Sequence, residues 1–278
     1  MSTRINHNIL SITAQRNLWV TQGTLDSAIN RLSSGLRINY SWDDPAGLAV
    51  SERMRAQITS MTEAERNANY NVNLLATAEG ALAVIDEKLI RMRALAVQAS
   101  NGALTSQDRS YLDVEFQQLK SEVTRIANTT NYNGLNLLDG TFSSGNGLKF
   151  HIGIFNTSNE DYYFINLGLM TAVGLNITDA ALTDTTSAQS AIITLDAAID
   201  SKDSERTRIG SYVERLQNTI LNLQISRENA QQAESNIRDA DIAAEMSNFV
   251  RAQILFQTGT SMLAQANMVP QIIAGLVG

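Results

Sequence analysis

The feature of this sequence that most constrains its fold is a hydrophobic repeat with alternating spacings of three and four residues, which runs from Ile192 to Ile237. Most positions of the repeat are apolar, and the charged exceptions are Lys202, Arg206, Arg227 and Glu234. Residues at this spacing form one stripe along the side of an α-helix. Because the repeat is several times longer than an average globular helix, it predicts a long helix packed against other helices in the manner of a coiled coil.

Two more repeats of the same kind precede this one. The first runs from Met54 to Leu82, shifts by one residue and resumes from Ile85 to Ala99, and the second runs from Leu112 to Ile126. A one-residue shift alters a supercoil locally without ending the helix. The repeats together predict a mainly α fold, namely a long antiparallel coiled-coil-like helical bundle.

Residues at the ends of these repeats favour helix boundaries. Asp44-Pro45 is typical of an N-cap followed by proline at the first helical position, so one helix is expected from Pro45 to Gln98. Asn101-Gly102 predicts a left-handed stop, and Thr105 with Asp108 predicts a capping box that starts the next helix. Asn133-Gly134 is expected to end that helix.

A small β region is predicted at about 135–170, because the apolar residues there alternate. Leu148, Phe150 and Ile152 share one parity, and Tyr163 and Ile165 share another, with a polar stretch between the two sets. Alternation of this kind, interrupted by polar residues, is typical of a β-hairpin. The helical bundle is therefore predicted to contain a small β-hairpin region.

The two ends of the chain each carry a modest apolar repeat with few other elements to pack against. An isolated amphipathic helix is marginal in water, so both termini are predicted to be helical and to pair with each other. An unassembled chain would leave much of these repeats exposed, which indicates burial against neighbouring copies. The candidate polymerisation residues are Ile5, Ile9, Ile12, Trp19, Leu25, Ile29, Leu32, Met246, Phe249, Phe256 and Leu263.

Composition argues against most other classes of function. The sequence has no cysteine, two histidines and a net charge of −7, which disfavours thiolate chemistry, histidine-rich metal sites and nucleic-acid binding. No apolar run approaches the length of a membrane span, and Met1–Ser11 lacks the apolar core of a cleavable signal peptide. No catalytic motif is found, so we expect no enzyme activity, no cofactor and no metal.

Two pairs of carboxylates allow two interpretations. Asp43-Asp44 and the pair formed by Asp239 and Asp241 each lie beside the predicted start of a helix. They could form a cation site together, or each pair could supply a helix N-cap. Capping requires fewer assumptions.

Several motifs resemble those of bacterial flagellin. In the first half these are Arg31–Asn39, Asp43–Ala49, Arg66–Asn69, Ile90–Gln98 and Asn131–Gly134. In the second half they are Ser235–Ala240, Arg251–Leu255 and Leu263–Gln271. The resemblance covers nearly the whole chain except about 170–189.

The resemblance implies a structural subunit that polymerises into the flagellar filament for swimming motility. It implies that 1–42 and 239–278 form an inner-tube domain, and that 43–238 form a surrounding domain with only a vestigial variable segment at about 170–189. Export through the flagellar type III channel, an extracellular location, an export chaperone, a filament cap and hook-junction proteins are further implications. Pro45 and the C-terminal residues 274–278 also fit the hook–filament junction protein, which is the alternative.

The resemblance further implies a surface recognised by the Toll-like receptor for flagellin. Its positions correspond to Arg91, Leu95 and Glu115 in this sequence. The same residues could instead serve packing between neighbouring subunits.

Overall fold

The computed structural model describes residues 7–143, 145 and 147–277, with side-chain environments as far as Met268. Ile5, one of the candidate polymerisation residues, lies outside the described residues. The elements follow the order α1 (Ile9–Ser34), α2 (Pro45–Ala99), α3 (Ser106–Thr129), β1 (Asn131–Tyr132), β2 (Leu135–Asn136), β3 (Leu148–His151), β4 (Tyr162–Ile165), α4 (Thr185–Arg238) and α5 (Ile242–Val277). The prediction of a mainly α fold is confirmed.

The described chain divides into two compact units. Unit 1 contains the described residues of 1–58 and 228–278, and unit 2 contains 59–227. Helices α2 and α4 each contribute residues to both units. The predicted domain boundaries at 42 and 239 concern the assembled subunit and stay a prediction.

The core of unit 2 is built on a stripe of α2 that follows the three-four spacing without a shift. The fully buried members of this stripe are Leu75, Ala78, Leu82, Ile85, Leu89, Met92, Ala96 and Ala99. The expected one-residue shift is therefore absent, because the stripe passes through Ala78 and not through Glu79. Glu79 lies beside the stripe, where its Oε1 accepts hydrogen bonds from the Arg206 guanidinium at 2.6 and 2.9 Å.

Charged positions of the long C-terminal repeat pair with carboxylates on α2. Lys202 lies 2.5 Å from Asp86, and Arg227 is paired with Glu65. Arg206 likewise pairs with Glu79. From Lys202 to Arg227 the residue numbers rise along α4 while those of the partners fall along α2, so the two helices are antiparallel in unit 2. Ion pairs between fixed positions also define the register in which two helices pack.

The end of α2 differs from the predicted left-handed stop. Neither Asn101 nor Gly102 has a positive φ. Instead the buried Arg109 side chain donates hydrogen bonds of 2.9 Å to the carbonyls of Ala99 and Asn101. A guanidinium that occupies the free carbonyls of a helix C-terminus makes a left-handed residue unnecessary. The capping box of Thr105 and Asp108 is present as predicted.

Helix α3 ends earlier than expected. It stops at Thr129, and Asn133 and Gly134 form the two-residue turn between β1 and β2, with φ values of 51° and 80°. Positive φ at both central residues is the requirement of a type I′ hairpin turn, which Asn-Gly satisfies. The prediction that Asn133-Gly134 ends the helix is therefore wrong, because the pair forms a hairpin turn four residues further on.

The larger hairpin agrees with the predicted alternation. β3 and β4 are antiparallel, with Leu148 opposite Ile165 and Phe150 opposite Tyr163. Phe150, Tyr163 and Ile165 are buried in the core of unit 2. The following irregular segment also packs inward, since Leu175, Ile177 and Leu182 are buried there. The segment 170–182 therefore contributes side chains to the core, with exposed residues such as Val173 between the buried ones.

Candidate assembly surface

The two terminal helices pair in an antiparallel arrangement within unit 1. Near the start of α1 the Asn8 side chain donates a hydrogen bond of 2.8 Å to the carbonyl of Ala266. Near its other end Arg31 lies 3.8 Å from Glu245. The prediction that both termini are helical and paired is confirmed for the described residues.

The two helices approach each other closely because small residues line the contact. Ala28 on α1 and Ala252 on α5 are buried. A Cβ added to Gly259 would lie 2.8 Å from Cδ2 of Leu18, so only glycine fits this position without a shift of the leucine. Small residues at a helix interface let the backbones come together.

The contact follows a single three-four repeat on each helix. On α1 the members are Ser11, Ala14, Leu18, Thr21, Leu25, Ala28 and Leu32. On α5 they are Glu245, Phe249, Ala252, Phe256, Gly259, Leu263 and Ala266, which are the residues between 241 and 268 that are not exposed. Among the candidate polymerisation residues, Leu25, Leu32, Phe249, Phe256 and Leu263 therefore lie on the intramolecular contact and are partly buried.

The other candidate residues face away from this contact. Ile9, Ile12 and Trp19 on α1 are exposed, with Trp19 at 80% and Ile12 at 62%. Together with the exposed Val20 they form what we term the α1 outer stripe, which also contains the exposed Arg16. Ile29 is exposed further along the same helix. Helix α1 is thus apolar on its contact side and on its outer side.

Helix α5 has an outer stripe of its own. Ile242, Met246, Val250 and Ile254 are spaced four residues apart and are all exposed. Only Met246 was among the candidate polymerisation residues, and Ile242, Val250 and Ile254 were not. The exact four-residue spacing of four large apolar residues was the available signal for this α5 outer stripe.

A groove of about 380 Å³ lies between the two helices. Its walls include Leu10, Leu18 and Thr21 from α1, and Leu255, Gly259 and Met262 from α5. The glycine and threonine positions leave space between larger apolar neighbours. The groove adds exposed apolar surface to the same unit.

The paired carboxylates act as caps and turns. Oδ1 of Asp44 accepts the Gly47 N–H at 2.9 Å, and Oδ1 of Asp241 accepts the Ala243 N–H at 2.9 Å. Asp43 accepts the N–H groups of Asn39 and Tyr40. The capping interpretation is confirmed for Asp44 and Asp241. Within the described ranges, no cluster of three histidine or acidic residues could hold a metal ion.

The chain segment between α1 and α2 joins the two halves of the chain. Gly35 ends α1 with φ of 72°, which glycine adopts without strain. The Arg37 N–H then donates to the Arg238 carbonyl at 2.7 Å, and the Ala240 N–H donates to the Gly35 carbonyl at 2.9 Å. This short ladder holds the end of α1 against the start of α5.

Comparison with known proteins identifies the family. Residues 5–143 match the bacterial flagellin N-terminal helical region, and residues 192–277 match the bacterial flagellin C-terminal helical region. The chain belongs to the bacterial flagellin family. A flagellin of Treponema pallidum is 41% identical, over 98% of this chain and 99% of its own length. A flagellin of Halalkalibacterium halodurans is 44% identical over the same shares of the two chains.

A solved structure shares the fold of this flagellin. It is a putative flagellar hook-associated protein from Vibrio parahaemolyticus, which is 16% identical, covers 71% of this chain and all of its own, and has a TM-score of 0.58. The curated relatives are named flagellins and flagellar filament core proteins. These names favour a filament protein over the hook–filament junction alternative. Flagellins are a family of structural proteins.

The three residues of the expected receptor surface lie in different environments in this flagellin. Arg91 and Glu115 are largely exposed and form an ion pair of 2.8 Å between α2 and α3. Leu95 is 1% exposed and belongs to the core of unit 2. The structure thus brings Arg91 and Glu115 together at the surface and places Leu95 beneath it. None of the helices in the described part of the chain is long and apolar enough to span a bilayer.

Proposed function

We propose that this flagellin is the repeating subunit of an extracellular flagellar filament and that its two outer stripes are the polymerisation surface. The observation that carries the proposal is that α1 and α5 each keep a row of large apolar side chains exposed after pairing with each other. Apolar patches of this kind mark interaction sites in otherwise soluble chains.

The two stripes favour an open polymer over a closed dimer. The α1 outer stripe spans about 16 Å from Ile9 to Val20, and the α5 outer stripe spans about 18 Å from Ile242 to Ile254. Because the stripes have similar length and belong to different helices, the α1 outer stripe of one copy can contact the α5 outer stripe of the next. Contacts between two different surfaces repeat without closing and generate helical filaments.

The strength of one such contact also supports cooperative growth. Full burial of a large apolar side chain contributes about 1.5–3 kcal/mol, and these side chains are already partly covered. Eight of them contribute on the order of 10 kcal/mol, which is comparable with the roughly 4–15 kcal/mol that association costs in lost freedom. A copy inside the filament uses both stripes and is therefore retained far longer than a copy in a pair, which uses one.

The domain organisation of the assembled subunit follows from this proposal. Residues 1–42 and 239–278, which contain both stripes, would form the inner tube, and 43–238 would surround it. The packing of residues 170–182 into unit 2 fits a filament with a smooth outer surface, because this segment does not project as an extra domain.

Partners before and during export are part of the proposal. The α5 outer stripe would expose apolar side chains in the cytoplasm, so an export chaperone that covers α5 would prevent premature assembly. Export through the flagellar type III channel, a filament cap and hook-junction proteins complete the set of expected partners.

Substitution on the α5 outer stripe tests the assembly proposal. Ile254 is 57% exposed and lies outside the contact with α1. Ile254→Asn should leave the fold intact but abolish growth from sheared filament seeds, since a polar amide would replace a large apolar side chain in a mainly apolar contact. Ile254→Leu is the matched control and should grow normally. Sedimentation of the Asn variant to the same extent as the Leu variant would contradict the proposal.

We also propose that soluble subunits bind the Toll-like receptor for flagellin through Arg91 and Glu115. Their exposed ion pair supports a polar contact, while Leu95 would act from the core by supporting α2 beneath them. Arg91→Ala should weaken binding of the monomer to the receptor ectodomain at least about tenfold, as expected for loss of an arginine contact of about 1.4 kcal/mol. Unchanged affinity in surface plasmon resonance would count against this assignment.

A further inference from the structure

The methionines of this flagellin differ sharply in their exposure. Met92 and Met170 are buried in the core of unit 2. Met246, Met262 and Met268 are 46%, 60% and 50% exposed. Among the described residues, every methionine that is this exposed lies on α5.

One of these thioethers lies on a proposed polymerisation surface, and the other two lie elsewhere on the same helix. Met246 is the second residue of the α5 outer stripe, between Ile242 and Val250. Met262 lines the groove between α1 and α5. Met268 is exposed near the Asn8 and Ser11 contacts of the same helix pair, which reach Ala266 and Asn267.

We propose that Met246, Met262 and Met268 are sites of reversible oxidation by peroxide and that their oxidation blocks polymerisation. The inference rests on the proposed role of α5 in assembly. The sulfur of each thioether attacks one oxygen of hydrogen peroxide, the O–O bond breaks, and the other oxygen leaves as water after proton transfer. Sulfur is oxidised by two electrons and peroxide is reduced by two electrons, which gives methionine sulfoxide.

The sulfoxide changes the surface in a direction that opposes burial. A flexible apolar side chain becomes polar, with an oxygen that needs a hydrogen-bond donor when it is removed from water. The other three positions of the α5 outer stripe are apolar and supply no such donor. In the proposed contact the sulfoxide oxygen therefore depends on Arg16 or the indole of Trp19 in the α1 outer stripe of the next copy, and it loses its hydrogen bonds to water at every other position. Methionine sulfoxide reductases reverse this reaction, so the block on assembly would be reversible.

Peroxide treatment of the monomer tests the sites. Monomeric full-length chain is exposed to hydrogen peroxide and digested, and sulfoxide at each methionine is followed by mass spectrometry. Met246, Met262 and Met268 should oxidise at least about tenfold faster than Met92 and Met170, which serve as buried controls in the same molecule. Equal rates at the two groups would overturn the proposal.

Seeded growth of the treated protein tests the consequence. Oxidised chain should need at least about tenfold higher concentration to grow, equivalent to about 1.4 kcal/mol. A variant with Met246→Leu, Met262→Leu and Met268→Leu keeps similar volume and should grow both before and after peroxide. Loss of growth in treated triple variant, or normal growth of fully oxidised wild type, would overturn the proposal.

The same experiment separates this inference from the proposal beneath it. If untreated wild-type chain grows from seeds and oxidised chain grows equally well, filament formation stands and the methionine proposal fails. If untreated chain does not grow from seeds at all, the assembly proposal fails and the methionine proposal falls with it.

Discussion

The Lys202 side chain is buried in the core of unit 2, between two carboxylates. Its ammonium lies 2.5 Å from Asp86 and 2.6 Å from Asp203. Burial alone would lower the pKa of Lys202, but the hydrogen bonds to Asp203 and Asp86 outweigh it and raise the pKa above its ordinary value. The lysine is therefore a charged partner that holds α2 and α4 in register.

Removal of this charge should destabilise the protein more than removal of an exposed charge. Lys202→Met should lower the free energy of unfolding by about 2–4 kcal/mol, because Asp86 loses its nearest cation. Arg93→Ala is the matched control, since Arg93 and Asp196 form an exposed pair between the same helices and should contribute at most about 1 kcal/mol. Urea unfolding followed by circular dichroism measures both. Equal losses in the two variants would contradict this view of Lys202.

The sequence could indicate that Lys202 is unusual but could not identify its partner. The lysine interrupts an apolar repeat, which marks it as a position with a special environment. Asp86 lies 116 residues away in the sequence. Other carboxylates on α2, such as Glu79 and Glu87, were equally plausible partners. Choosing among them requires the register of the two helices, which is a tertiary property.

Helices as whole elements could be predicted well because their repeats are long. Helix α2 was expected from Pro45 to Gln98 and extends from Pro45 to Ala99. The side on which each helix packs was harder to predict, because the largest apolar residues do not always lie on that side. In α5 the contact runs through Ala252 and Gly259, and large residues such as Ile254 face outward.

Small residues at buried positions also explain why the contact sides of α2 and α4 differ from those predicted. In α2 the buried stripe passes through Ala78, and in α4 it passes through Ala191 and Ala198. Alanine at these positions lets neighbouring elements approach closely. It buries less apolar area than a larger residue but allows tighter packing. The residues of α1 and α5 that contact each other follow a three-four spacing only when alanine, serine and glycine are counted together with the large apolar residues.

For the molecule as a whole, the structure separates residues that complete the fold from residues that await a partner. The contact between α1 and α5 joins the two terminal helices within unit 1, and the outer stripes remain exposed. Sequence repeats alone combined these two sets, because both consist of apolar residues at helical spacing. Their different exposure is what supports a polymer in which each copy presents two distinct surfaces.

Cross-linking between copies tests this central claim most directly. The chain has no cysteine, so Ile12→Cys and Ile254→Cys each introduce a single thiol, one on each outer stripe. Filaments grown from an equal mixture of the two variants and treated with a short bismaleimide should yield abundant cross-linked dimers on a denaturing gel. Filaments of either variant alone should yield few. Cross-linking that is as strong in each single variant as in the mixture, or its absence from well-grown mixed filaments, would contradict the account.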